Sequence, residues 1–201
     1  MKSCIALISF ILLAVSCNLS KDTKEVKSNN KYSLEIPSSL VENKSLNKAA
    51  SLSYNNLLEE LYIIVLDESK EEMNQVMLVN RLNETYGNGL IGYAELLSQN
   101  LMKSVKNGKI SKLKKAKINS LNAYTTEIEG VINGIKIYYL FAFVEGKDSY
   151  YQIMSWTLLN KKQEHQQKIK SMILSFKELG ASKSLKLEEK KANDSKKHRS
   201  K

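Results

Sequence analysis

The sequence predicts an α+β fold, an antiparallel β-sheet flanked by helices. Three observations carry this: Asn133-Gly134 stands between two β-rich runs, the second of those runs is apolar on both faces, and two other segments repeat apolar residues at intervals of three and four. An Asn-Gly pair accepts the positive backbone angles of a type I′ turn, so residues 124–132 and 135–144 are expected to form a hairpin. In the second run Ile137, Tyr139, Phe141 and Phe143 share one face, and Tyr138, Leu140, Ala142 and Val144 share the other. A strand written this way is central and covered on both sides.

The remaining elements follow in order. Tyr32-Ser33-Leu34-Glu35-Ile36 reads as a strand that Pro37 ends, because proline cannot continue a ladder. Strands are expected at 49–54 and 61–66, then a weaker helical segment at 71–82. Leu90, Ala94, Leu97, Leu101 and Val105 give a helix over 90–104 with one apolar stripe. A strand at 114–118 precedes the hairpin, whose first strand alternates Thr125, Glu127 and Glu129 with Tyr124, Thr126 and Ile128 and so has one wetter face. Residues 145–149 make a turn and 150–158 a strand. Ile169, Met172, Ile173 and Phe176 mark a closing helix, with Asn160 as its N-cap, Gln163 reaching back, and Gly180 just past its end.

The first seventeen residues carry an address. Lys2 precedes an apolar run over 4–15 that ends Leu13-Ala14-Val15-Ser16-Cys17. The run is shorter than the ~20 residues that span a bilayer, so it reads as an export signal. A small residue before cysteine resembles the lipobox of bacterial lipoproteins, with alanine at position 14 where leucine is commoner. That resemblance implies cleavage after residue 16 and lipid on Cys17; Ala14-Val15-Ser16 also satisfies the rule for ordinary cleavage, which would release a soluble protein. The expected organisation is a signal at 1–16, the lipidated cysteine and a flexible linker at 17–31, a folded domain at 32–179, and a disordered basic tail at 180–201.

Taken together, the 32–37 strand, the 46–55 segment, the Gly134 hairpin, Tyr150-Tyr151-Gln152-Ile153 and the closing Ile173-Leu174-Ser175-Phe176 resemble the PsbP-like α/β/α sandwich, which includes bacterial lipoproteins of the DcrB type. The resemblance implies a non-enzymatic binding or assembly factor, with no catalytic motif and no cofactor.

The residue inventory agrees with that implication. With Cys4 removed in the signal, Cys17 is the only cysteine left, which leaves no intramolecular disulfide and no catalytic thiol. Histidine occurs at His165, within the polar Gln163–Gln167 stretch and expected on a helix surface, and at His198 in the tail. No catalytic or metal site is therefore expected. Glu127 and Glu129 fall on one strand face and could hold a cation or face a glycan, although plain solvent exposure is the ordinary outcome. Gly87-Asn88-Gly89-Leu90-Ile91-Gly92 lacks the lysine and hydroxyl residue of a phosphate loop and reads as a turn.

The charge of +10 is concentrated. Residues 183–201 carry eight basic against three acidic residues, leaving five positive charges on a segment too polar to bury a core. Lys106, Lys109, Lys112, Lys114, Lys115 and Lys117 put six cations in twelve residues. They are the candidate anion-binding residues, for a lipid or polysaccharide, and read equally as a charge-protected edge strand. The expected function is a membrane-anchored module of the bacterial cell envelope, on the periplasmic side or at the cell surface. It would bind a protein partner, and no nucleic-acid partner is expected.

Overall fold

The Asn133-Gly134 turn closes as its sequence predicts: φ is 49° at Asn133 and 83° at Gly134, and the strands on either side pair along their length. The computed structural model describes residues 22–180. The signal, Cys17 and the tail after Gly180 lie outside them. In chain order the elements are β1 (Thr23–Ser28), β2 (Tyr32–Pro37), β3 (Val41–Glu42), β4 (Leu52–Asn56), β5 (Leu61–Ser69), α1 (Lys70–Val79), α2 (Leu82–Tyr86), α3 (Gly89–Met102), β6 (Lys106–Ile110), β7 (Lys114–Ile118), β8 (Leu121–Ile132), β9 (Ile135–Glu145), β10 (Ser149–Leu158), α4 (Lys162–Leu174) and β11 (Lys177–Glu178).

Eight strands make one antiparallel sheet in the order β3-β4-β5-β10-β9-β8-β6, with β7 pairing the other half of β8. β1, β2 and β11 make a second, three-stranded sheet. β9 is central, and its two apolar faces feed two cores. Tyr138, Leu140, Ala142 and Val144 pack with Leu34 and Ile36 of β2 and with Ile169, Met172 and Ile173 of α4. Phe141 and Phe143 pack with Leu90, Tyr93 and Ala94 of α3. The small sheet and α4 thus cover one face of the large sheet and α3 the other, which is the α+β sandwich expected from the pattern.

Three local expectations need correction. The linker ends sooner than its composition indicates: Thr23–Ser28 is a strand, paired residue for residue with β2 from Thr23↔Pro37 to Ser28↔Tyr32. Its turn is Asn29-Asn30, both at positive φ (45° and 55°), closed by Lys31 N donating to Ser28 O at 2.8 Å. Asn160 does not cap α4; a 3-10 turn over Leu159–Lys161 leads into the helix, which starts without a side-chain cap. The helix ends at Leu174, well before Gly180, because β11 follows and returns to β2.

β11 is short but well held. Tyr32, Tyr151 and Phe176 form a buried triangle of rings with centroids 4.9–5.4 Å apart, which joins the small sheet to β10 and to the end of α4. Such pairs add about 0.5–1.5 kcal/mol each beyond their buried area. Burial holds the Tyr32 hydroxyl up to about 12. The chain enters at the Pro37 end of β2 and leaves at its Tyr32 end, since Thr23 pairs with Pro37 and Glu178 with Tyr32.

Candidate functional site

The six lysines of 106–117 all lie on the outer edge of the large sheet, and all six are exposed. β6 and β7 pair with successive halves of β8, and Ser111 holds the break between them. Its amide donates to Glu127 O at 2.9 Å, its hydroxyl accepts from Glu127 N at 2.9 Å, and its carbonyl accepts from Thr126 Oγ1 at 2.7 Å. Gly130 permits the close approach of β6 to β8, because a Cβ there would collide with Val105.

Cross-strand partners share a face, so the register distributes the cations. Lys109 stands opposite Glu129 on the α4 side, and Lys114 opposite Thr125 on that same side. Lys115 and Lys117 stand opposite Tyr124 and Asn122 on the α3 side. Lys112 occupies the break. Among the described residues none of the six makes an ion pair; Lys117 donates to Asn122 Oδ1 at 2.8 Å. The result is a linear positive edge rather than a pocket, suited to an extended polyanion or a charged surface.

The acid pair on β8 has its own cation. Lys162, at the start of α4, puts Nζ 2.7 Å from Glu129 Oε1 and 3.7 Å from Glu127 Oε2. The same ammonium lies 4.5 Å from the centroid of Tyr138, whose hydroxyl donates to Glu127 Oε2 at 3.2 Å. The Glu129 hydrogen bond holds Lys162 above the usual lysine range, and burial followed by the charge of Glu127 pushes the Tyr138 phenol up. The pair is half-exposed, as its strand face suggested, and the cation it holds is the chain's own Lys162, which fastens α4 to the sheet. Sequence reasoning missed Lys162 because its partners are more than thirty residues away.

His165 is also misread by its polar neighbours. It is fully buried, and among the described residues neither ring nitrogen makes a hydrogen bond, with Glu164 Oε1 lying 3.5 Å from Nε2. The signal was present: His165 lies four residues before Ile169, on the same stripe as Ile169, Met172, Ile173 and Phe176.

A groove of about 890 Å³ runs between α4 and the stretch of β2 that lies beyond its pairing with β11, with Asp22, Glu35, Ser39, Glu59, Lys168 and Lys177 on its walls. Ser175 closes the edge of β2 at its floor, its hydroxyl accepting from Glu35 N at 2.8 Å and donating to Met172 O at 2.6 Å. Glu59 accepts from Ser39 Oγ at 2.9 Å and Lys168 Nζ at 3.2 Å. Burial opposes its charge, but these two partners prevail and hold its carboxyl below the usual range. The groove's charges are mostly matched within its own walls.

No protein-family model matches the chain, and no curated protein matches it. Solved structures do. The solution structure of cyanobacterial PsbP (CyanoP) from Synechocystis sp. PCC 6803 superposes with a TM-score of 0.55 at 8% identity, over 79% of this chain and 93% of that one. The Ran-binding protein Mog1p of Saccharomyces cerevisiae gives 0.47 at 12% identity over 80% and 97% of the two chains. LpqN of Mycobacterium tuberculosis, a protein involved in cell envelope biogenesis, gives 0.47 at 8% over 77% and 88%. At such identities the likeness is one of fold, and the first of these supports a PsbP-like sandwich. Among the described residues no helix is long and apolar enough to cross a membrane.

Proposed function

We propose that the protein is a lipid-anchored, non-enzymatic binding or assembly module of a bacterial cell envelope, fastened through Cys17. The observation that supports this is the run Leu13-Ala14-Val15-Ser16-Cys17 behind a charged, apolar leader. Each buried methylene contributes about 0.8 kcal/mol, so two or more acyl chains anchor a protein stably where one does not. The PsbP-like sandwich is compatible with a scaffold that presents surfaces rather than a reaction centre. Cys17→Ala expressed in a bacterial host is expected to move from the membrane fraction to the soluble fraction after a high-salt wash; retention in the membrane would overturn the anchor.

A second reading is favoured by the six exposed lysines of 106–117, none of them in an ion pair among the described residues. In it the sheet edge binds an anionic polysaccharide or lipid headgroup. The expected behaviour is salt-dependent retention on immobilised heparin that weakens in Lys109→Ala with Lys115→Ala; unchanged retention would remove it.

A further inference from the structure

The register brings one set of strand ends together. Asn56 pairs with Leu61, Leu61 with Thr157, Leu158 with Ile137, and Ile132 with Ile135, so the β4–β5 turn, the β8–β9 turn and the end of β10 share one end of the large sheet. That end exposes large apolar side chains among polar ones, which include Asn133, Lys136 and Asn160 and the half-exposed Glu59, paired with Lys168, and Glu60, which accepts from the Tyr62 hydroxyl. Leu57 and Leu58, at the β4–β5 turn, are 66% and 92% exposed, and Ile135 is 53% exposed. Behind them Tyr62, Trp156 and Tyr139 stack in a half-buried row with centroids 5.0 and 5.4 Å apart.

The Asn56 side chain ties the leucine turn together. Asn56 Oδ1 accepts from Leu58 N at 2.9 Å and Glu59 N at 3.1 Å, and Asn56 Nδ2 donates to Glu59 Oε1 at 2.9 Å. Lys161 Nζ donates to Leu58 O at 3.2 Å, and Lys136 is exposed beside Ile135. Neither lysine makes an ion pair among the described residues. Leucines at an apex, an aromatic band behind them and a cationic rim match the layers of a membrane interface, from acyl chain to headgroup.

The path of the chain singles out this end. Asp22 O accepts from Ser38 N, and the next residue, Ser39, bonds Glu59 at the foot of the leucine turn. The first described residues therefore enter beside Leu57 and Leu58. Cys17 precedes Thr23 by six positions, a reach of at most about 20 Å.

We infer that this end of the sandwich is a membrane-docking face, with Leu57 and Leu58 inserted at the acyl boundary of an anionic bilayer and Lys136 and Lys161 over its phosphates. For the nearness of a membrane it rests on the Cys17 anchor proposed above; for the contact it rests on the tip alone.

The chain from Asn18 onward keeps every described element and both cores and carries no acyl group. Mixed with vesicles of equal parts phosphatidylglycerol and phosphatidylcholine, it is expected to co-sediment, more weakly as salt rises, and to shift the emission of Trp156, its single tryptophan, to shorter wavelength. Leu58→Asp, alone or with Leu57→Asp, is expected to lower the partition constant about tenfold or more, the loss from withdrawing one partly inserted leucine. Val79→Asp, at an exposed position on α1, is expected to leave it unchanged. Absence of vesicle binding, or binding that survives both leucine changes, would overturn the inference. So would a leucine variant whose effect is to turn a dimer into a monomer without vesicle binding, which would make the tip a contact between copies. Fractionation of Cys17→Ala is read separately: loss of the anchor with tip binding intact, or the reverse, tells the two proposals apart.

Discussion

Lys162 and Glu129 meet at 2.7 Å across the junction between the first turn of α4 and strand β8, with Glu127 and the face of Tyr138 completing the contact. The helix lacks a side-chain cap, so this cation fixes the position of its first turn. Lys162→Met is expected to lower the unfolding free energy by about 0.5–1 kcal/mol, a modest figure because all three charges are partly solvated. The folded-state pKa of Lys162 is raised, so its contribution is fully present below the unfolded value of 10.5 and fades as pH rises through the folded value. Urea titrations at pH 7 and above pH 10.5 check both points: the gap between wild type and variant should narrow at the higher pH.

Glu178 fastens the last strand to the β9–β10 turn. Its carboxylate accepts Lys147 N at 3.0 Å from both oxygens and Tyr151 Oη at 3.1 Å, and it lies so close over Gly146 that a Cβ there would collide with it. Glu178→Ala is expected to cost about 1–2 kcal/mol, since it leaves the Tyr151 hydroxyl and the Lys147 amide without this acceptor. Hydrogen exchange at Lys147 should accelerate more than exchange in β5, which the contact does not touch.

Glu145 gives the acid side of the stability profile. Its hydrogen bond to Lys70, 2.9 Å, lowers its pKa from 4.5 against a smaller opposing effect of burial, and Asn122 adds to the lowering. A depressed carboxyl contributes stability that is present above about pH 4.5 and is lost as pH falls through the folded value. Lys70→Met should therefore be less stable than wild type at pH 7, by up to about 1 kcal/mol, and should fall less steeply below pH 4.5. Parallel melting curves across that window decide it.

His165 occupies a core position where, among the described residues, neither nitrogen makes a hydrogen bond. Replacing an unsatisfied buried polar ring by an apolar side chain removes its desolvation cost, so His165→Leu is expected to stabilise by about 0.5–1 kcal/mol. His165→Ala, which leaves a cavity, is expected to destabilise by about 2 kcal/mol or more. A loss on His165→Leu would mean that the imidazole has a partner.

The contrast between His165 and β9 shows what was legible in the sequence. β9 was readable because its period is local: both faces are written in consecutive residues, and the Asn133-Gly134 turn fixes its partner. The closing helix was readable for the same reason along Ile169, Met172, Ile173 and Phe176, and His165 was lost only because its polar neighbours outweighed its place on that stripe. β1 was illegible by composition, since Val26 is its only aliphatic residue; it exists because β2 offers a template and Asn29-Asn30 can turn. Contacts such as Lys162 with Glu129 depend on sheet order, which no local pattern states. The lysine edge lay between these cases. Its edge position was foreseen, while its division between two faces follows from the register with β8.

The opposite directions in which the chain enters and leaves β2 have a mechanical consequence. β1 and β11 run parallel to each other on either side of β2, one fed from the Pro37 end and the other departing from the Tyr32 end. A pull between the two termini therefore draws these strands along their own axes in opposite senses. The six β1–β2 residue pairs are loaded together in shear rather than opened one after another, because ladder hydrogen bonds lie across the direction of force. The weaker link is β11, with two pairs to β2 and the Glu178 and Leu179 contacts behind them. Under tension the domain should yield first at its C-terminal strand while the N-terminal strand holds, so that strain arriving from one side is released before it reaches the other.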